Sequence, residues 1–261
     1  MPMGRRLLVV VGGAGRMGQV FVPFFRRRGF SVWVCDPRAP GSVPLEGCAT
    51  ADAVVVCVPL PAMGRVLSEV IDVRPRGLVV EMASVKREIL PLVPRARRER
   101  VLLASVHPMF GPSTKGTRGR DLILCESGNA RALEGARRLF SGGGLKIAKM
   151  PLAEHDAWIA RTMSVAHLLG LVGASALVDS GTPIEAPDGL SSSTFRRLVD
   201  LAGPLLADEP ELLYEIQRAA PDGLSPHEGL SRALEGWKRA LESGPEAFAA
   251  ELLRLRAAAA R

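Results

Sequence analysis

The sequence is poor in aromatic residues, which make up 5% of 261 positions, with one tyrosine and three tryptophans. Nucleic-acid binders need aromatic platforms or a concentrated basic stripe. The formal net charge of +7 is therefore not read as a nucleic-acid footprint. Its arginines are spread, and the densest runs, Arg26-Arg27-Arg28 and Arg95 to Arg100, fall at expected helix ends, where cations complement the helix dipole. A basic surface suits small anionic substrates instead. Cysteine is scarce too. Cys35, Cys48, Cys57 and Cys125 form no C-x-x-C pair, so neither a disulfide framework nor a metal site is expected. Three of them sit in apolar strand-like runs, as buried thiols do, and reduced thiols fit a cytoplasmic protein. No apolar run reaches about 18 residues without glycine or polar interruption, so no membrane span is expected. The N-terminal apolar stretch is broken by Gly12, Gly13 and Gly15 and does not read as a secretory leader.

What is present is a regular alternation. Leu7–Val11, Ser31–Cys35, Ala53–Val58, Leu78–Met82, Val101–Ser105, Asp121–Cys125 and Lys146–Met150 are short apolar runs rich in β-branched residues. Helix-like segments separate several of them, including Met17–Arg28 and Ala130–Leu139. That pattern predicts a doubly wound, mostly parallel sheet covered on both faces. After Pro151 no strand is expected. Leu152–Val178 reads as one long helix, followed by helices at Ser191–Leu206, Glu209–Ala219, Pro226–Ser243 and Pro245–Ala260, with turns at Gly181-Thr182-Pro183, Pro187-Asp188-Gly189 and Pro221-Asp222-Gly223. The expected organisation is an α/β Rossmann domain over residues 1–150 and an all-α domain over residues 151–261.

The first strand runs into Gly12-Gly13-Ala14-Gly15-Arg16-Met17-Gly18, which contains G-x-G-x-x-G at Gly13, Gly15 and Gly18. Alone that motif is weak. Here it follows a strand, opens a helix, and precedes a second strand ending near Asp36, close to where the ribose-binding acid belongs. Gly13 serves the tight turn, Gly15 the approach of the pyrophosphate, and Gly18 the helix–sheet packing. The phosphates would lie at the N-terminus of the helix, against Ala14, Arg16 and Met17. Asp36 would accept from the adenosine ribose and repel a 2′-phosphate, favouring NAD over NADP, with Arg38 softening that preference. Val58, Pro59 and Ser84, at the ends of other strands, complete the expected cofactor contacts. No metal is expected.

Two further stretches carry chemistry. Glu81-Met82-Ala83-Ser84-Val85-Lys86 ends one strand, and Ser105-Val106-His107-Pro108-Met109-Phe110-Gly111-Pro112-Ser113 follows the next. Strand C-termini line the ligand crevice of an open parallel sheet, so Ser84, Lys86 and His107 should converge near the nicotinamide. A histidine there suits removal of a proton from a substrate hydroxyl while hydride departs. Pro108 and Gly111 would hold its loop in one shape. A loop-capping histidine fits the same position; Ser84 fits equally as the cap of a helix starting near Val85, and Lys86 as a solvated helix residue.

These stretches, with Glu154-His155-Asp156, resemble the prephenate dehydrogenase (TyrA) family of tyrosine biosynthesis. The resemblance covers nearly the whole chain, and no chorismate mutase segment is expected before it. It implies NAD(P)-linked oxidative decarboxylation of a cyclohexadienyl dicarboxylate. His107 would be the proton acceptor, with Ser84 contacting the reacting hydroxyl. It also places His167, otherwise a packed histidine of an apolar helix, near the substrate side chain, and it implies a homodimer through the helical domain that completes the active site. His155 reads as structural. One departure stands out: the family's arginine for the ring carboxylate falls on Pro204, so Arg196 and Arg197 are the replacements expected, the guanidinium fork matching a carboxylate. Variants acting on arogenate or on 4-amino-4-deoxyprephenate share the same residues. A plain Rossmann hydroxyacid dehydrogenase or a non-catalytic dinucleotide sensor would not need the His107–Pro112 loop.

Overall fold

The computed structural model describes residues 6–112, 114, 116–184, 189–223 and 225–260; the expected turn residues Pro187 and Asp188, and Ser113, lie outside them. By compactness the chain divides into two units. The first holds Met1–Trp158 and Glu209–Ala219, the second Ile159–Asp208 and Ala220–Arg261.

The first unit is built on seven strands: β1 (Leu7–Val11), β2 (Ser31–Cys35), β3 (Ala53–Val56), β4 (Leu78–Glu81), β5 (Leu102–Pro108), β6 (Asp121–Glu126) and β7 (Lys146–Pro151). They form one sheet in the order β2-β1-β3-β4-β5-β6-β7. The first five are mutually parallel. β6 runs antiparallel to β5, with His107 opposite Ile123, and β7 runs parallel to β6. Helices α1 (Arg16–Arg27), α2 (Leu60–Val73), α3 (Leu92–Arg98) and α4 (Ala130–Phe140) connect them. Period-two alternation divides each central strand between two cores. Leu8 and Val10 of β1 face a cluster with Phe21, Phe24, Phe25 and Phe140 of α1 and α4. Val9 and Val11 face Met63, Leu67 and Ile71 of α2. The few aromatics are thus concentrated: Phe21 and Phe140 pack edge to face with centroids 5.9 Å apart, a favoured geometry.

The doubly wound sheet agrees with the sequence pattern, and the differences have local causes. Helix α2 adds to the expected elements. Pro59 is its N-cap and Pro61 lies in its first turn, where a missing N–H removes no helical bond. β5 extends through Pro108 instead of ending at Ser105, because β6 pairs with it. No helix begins at Val85. The chain there makes turns, with Lys86 O accepting from Ile89 and Leu90 N–H, and Ser84 caps no helix among the described residues. The arginine runs do sit in the last turns of α1 and α3.

The expected single helix over 152–178 is divided into α5 (His155–Ile159), a π-helical turn (Ala160–Ser164) and α6 (Val165–Asp179). The division between units falls inside this run, not at residue 150. The segment 209–219, with α8 (Pro210–Arg218), belongs with the first unit, where Arg16 lies 3.7 Å from Glu209 and Arg87 donates to Arg218 O. In the second unit α7 (Ser193–Leu206) lies on α6. A Cβ on Gly170 or Gly173 would sit 2.6 Å from Leu205 or Leu198, so both glycines are there to let α7 approach. Helices α9 (Pro226–Glu242) and α10 (Pro245–Ala259) complete it. The run Leu152–Asp179 is long and apolar enough to cross a membrane by length and composition, with mean hydropathy 1.4 and 17% of that window buried.

Candidate active site

The glycine loop lies at the point where strand order reverses, between β1 and β3. Gly12 has φ +82°, and a Cβ there would meet Cys57 O at 2.8 Å, so the ends of the two strands are pressed together with no room for a side chain. A Cβ on Gly18 would fall 2.5 Å from Gly12 O, which fixes α1 against the loop through backbone contact. Gly15 is the N-cap of α1 and no side chain caps the helix. A helix N-terminus opening from a glycine turn suits an anion. The expected cradle of Gly13, Ala14, Gly15, Arg16, Met17 and Gly18 is one continuous turn, with Val58 and Pro59 following β3 beside it.

Asp36 directly follows β2 and is 3% exposed. Its carboxylate accepts from Ala14 N–H at 3.0 Å, and from Arg38 N–H and Nε at 3.0 and 3.2 Å. Burial raises its pKa, but the hydrogen bonds from Arg38 and Ala14 outweigh that and hold it below the usual carboxylate range. The residue thus ties the glycine loop to β2. Arg38, mostly exposed, reaches back over it, with Nη2 3.4 Å from where a Gly15 Cβ would lie.

His107 sits inside β5 near its C-terminal end, 2% exposed. Burial, then the neighbouring His155 and Lys86, push its pKa well below the ordinary value, so the imidazole is neutral at physiological pH. Its Nδ1 lies 2.9 Å from His155 Nε2. His155 Nδ1 lies 2.7 Å from Asp156 Oδ1, and the same oxygen accepts from Lys86 N–H at 2.8 Å. His155 is fully buried. Nothing in the spacing joins it to His107, 48 residues away; only the Glu-His-Asp spelling marked it.

Lys86 is not presented to a ligand. It and Glu81 are both 0% exposed, and Lys86 Nζ donates to Glu81 Oε1 and to Val106 O, each at 2.8 Å. Glu81 Oε2 accepts from Ala83 N–H at 2.8 Å. The lysine is a buried tie between β4 and β5, which corrects its expected substrate role. Ser84 is half-buried just beyond it.

The remaining expected residues lie in the second unit. His167, on α6, has its pKa lowered by burial, with Asp208 opposing, and its Nδ1 is buried without a partner among the described residues. Arg196 and Arg197 are exposed on α7, and Pro204 lies within the same helix. The second unit also has a cavity of about 320 Å³ bordered by Arg161 of the π-helical turn, Ser225 and Arg232, an arginine pair that the sequence reading passed over. The four cysteines are free, and burial raises the thiols of Cys48 and Cys57 to about 12 and Cys125 to about 11, leaving them protonated.

Residues 36–149 match a family model described as prephenate dehydrogenase, nucleotide-binding domain. The chain is 28% identical over 269 residues to 4-amino-4-deoxyprephenate dehydrogenase of Streptomyces pristinaespiralis, covering 95% of this chain and 89% of that protein. It is 24% identical to the T-protein of Enterobacter agglomerans, over 84% of this chain and 58% of the relative, so it spans little more than half of that protein. The fold is similar to a crystal structure described as a putative prephenate dehydrogenase from Corynebacterium glutamicum, with TM-score 0.71, 19% identity and coverage of 96% and 87%. It is also similar to prephenate dehydrogenase from A. aeolicus in complex with hydroxyphenyl propionate and NAD+, with TM-score 0.67, 17% identity and coverage of 97% and 93%. With its glycine loop, its buried histidine on β5 and the family match over residues 36–149, this chain is similar to the TyrA-like prephenate dehydrogenase family.

Proposed function

We propose that the protein is an NAD-dependent dehydrogenase that oxidatively decarboxylates prephenate to 4-hydroxyphenylpyruvate. The observation that carries this reading is His107: a neutral histidine, hydrogen-bonded through Nδ1, near the C-terminal end of a strand in a dinucleotide-binding sheet. A bound nicotinamide dinucleotide supplies the hydride acceptor. The glycine loop and the start of α1 fit its pyrophosphate, and Asp36 fits its ribose. Asp36 disfavours a 2′-phosphate, so NAD is the cofactor proposed over NADP. His107 Nε2 takes the proton of the ring hydroxyl as the hydride leaves the same carbon. The ring carboxylate departs as carbon dioxide, its bonding pair closes the aromatic ring, and His107 returns the proton to the phenolic oxygen. A positioned base of this kind contributes roughly 100- to 10,000-fold. Ser84 holds the hydroxyl, His167 the side chain, and Arg196 or Arg197 a carboxylate.

A second reading has specific support. The relative matched over 95% of this chain is named for 4-amino-4-deoxyprephenate, and Pro204 stands where an arginine was expected. On that reading His107 would take its proton from a ring amine. Arogenate, with an amino acid side chain, is the third candidate. The test is purified protein with NAD and each compound in turn, followed by the absorbance of reduced cofactor. Turnover highest with prephenate supports the proposal, and highest with the amino-substituted ring supports the second reading. No reduction with any of the three overturns both.

We propose in addition that the protein is a cytoplasmic homodimer. Leu169, Val172 and Val178 of α6 are 47%, 52% and 60% exposed, an apolar surface that a second copy would cover. Light scattering should give twice the chain mass.

A further inference from the structure

The hydrogen bonds around His107 have a direction that follows from one atom. Asp156 Oδ1 accepts from the backbone N–H of Lys86, which can only donate. A carboxylate oxygen only accepts, so the contact at 2.7 Å on the same oxygen requires the proton on His155 Nδ1. A neutral imidazole with a proton on Nδ1 offers a lone pair at Nε2. His155 Nε2 therefore accepts from His107 Nδ1 at 2.9 Å, and the lone pair of neutral His107 is left on Nε2. With Asp156 protonated or replaced by a donor, the order could run the other way and the base would be lost.

We propose that His155 and Asp156 are positioning residues for His107: the Asp156–His155–His107 chain fixes which nitrogen of His107 is the base and shares the positive charge when that base takes a proton. This deepens the proposed function and rests on it for the identity of the reaction. When Nε2 gains the substrate proton, the Nδ1 proton of His107 can move to His155 Nε2. The imidazolium then lies against the Asp156 carboxylate, and the proton returns along the same path. The charged groups around the pair act in opposite senses. Asp156 and Glu81 favour protonation of His155, while burial and the Lys86 ammonium oppose it and prevail in the resting state. On His107, burial, His155 and Lys86 all oppose protonation. The Cys125 thiol stays neutral. Both rings are thus uncharged at rest, and Asp156 is the acceptor that makes transient charge tolerable.

The experiment has two arms. Nitrogen-15 NMR of histidine in the intact protein with NAD reads the protonated nitrogen of each ring without turnover. Expected are Nδ1–H on both His107 and His155; Nε2–H on His107 overturns the proposal whatever the enzyme's substrate. The second arm measures kinetics of Asp156→Asn, whose amide can donate to His155, together with His155→Gln and His155→Leu. Expected for Asp156→Asn is a loss of about 100-fold or more in kcat with KM for substrate nearly unchanged, since the interaction matters only as the proton moves. NAD affinity should also be unchanged. His155→Gln, whose carbonyl can still accept from His107 Nδ1, should retain more kcat than His155→Leu, and its acid limb should shift. Equal kcat for Gln and Leu variants with an unmoved pH profile overturns the proposal. If Asp156→Asn fails to fold, the wild-type spectrum still decides. If the expected tautomers are found but no substrate is oxidised, the proton order stands and the reaction assignment fails.

Discussion

Replacing Lys86 with methionine removes one member of an ion pair in which both side chains are 0% exposed. The substitution is close in volume, so little cavity is created. What it leaves is the Glu81 carboxylate with a single hydrogen bond, from Ala83 N–H, and Val106 O without the lysine donor. Breaking a buried pair by removing one partner costs about 3–5 kcal/mol, because the remaining charge is stranded in low dielectric. For a unit of this size that corresponds to a fall in Tm of roughly 6–20 °C. Circular dichroism melts and urea titrations on wild type and Lys86→Met at neutral pH read the loss directly. Adding Glu81→Gln to Lys86→Met removes the charge while leaving an acceptor for Ala83 N–H, and should restore more than half of the lost stability. KM for substrate should be unaffected wherever the variant is folded. A cost below about 1 kcal/mol, the range of exposed pairs, would refute the reasoning. So would a large rise in KM at unchanged Tm, which would return Lys86 to the substrate.

Three further outcomes are expected. Gly18→Ala places a Cβ 2.5 Å from Gly12 O; backbone on both sides must shift, so NAD affinity should fall by at least about tenfold and Tm with it, measured by calorimetry, and wild-type affinity would contradict the packing role. Asp36→Ala frees Ala14 N–H and Arg38, so NAD should bind more weakly while the NADP-to-NAD ratio of kcat/KM rises; an unchanged ratio would remove Asp36 from cofactor choice. Stability should fall as pH drops below about 6.5, because unfolded histidines charge there while burial keeps His107 and His155 neutral in the fold. Their depressed values make the unfolded state bind more protons in that window, so each contributes a slope of about 1.4 kcal/mol per pH unit down to its own folded value. Urea midpoints that stay flat between neutral pH and pH 5.5 would contradict this.

The sheet was legible because its central strands are buried on both faces and spell continuous β-branched runs, as in Val54-Val55-Val56. The glycine loop was legible because backbone geometry there excludes every other residue at Gly12 and Gly18. What escaped notice depended on tertiary partners. α2 was hidden because the same prolines that end a strand also begin this helix. β5 looked two or three residues shorter because β6, which extends it, pairs from the far side of a loop. His155 and Asp156 looked like the polar start of a helix, and only the fold brings them against β5 and Lys86. Lys86 carried the opposite error. Beside a serine near the end of a strand it looked available, whereas its partner, Glu81, is five residues back in the same strand and equally buried. Proximity in sequence suggested a site; burial shows a brace beneath one.

The central claim is that His107 is the base of an NAD-linked oxidation of a cyclohexadienyl dicarboxylate. It is tested most directly by following reduced cofactor and released carbon dioxide from prephenate with wild type and His107→Asn side by side, with NAD affinity measured for both. The account predicts one carbon dioxide per reduced cofactor in the wild type, and in the variant a loss of about 100-fold or more in kcat at unchanged NAD affinity. Full turnover in His107→Asn, or cofactor reduction without carbon dioxide release, would contradict it.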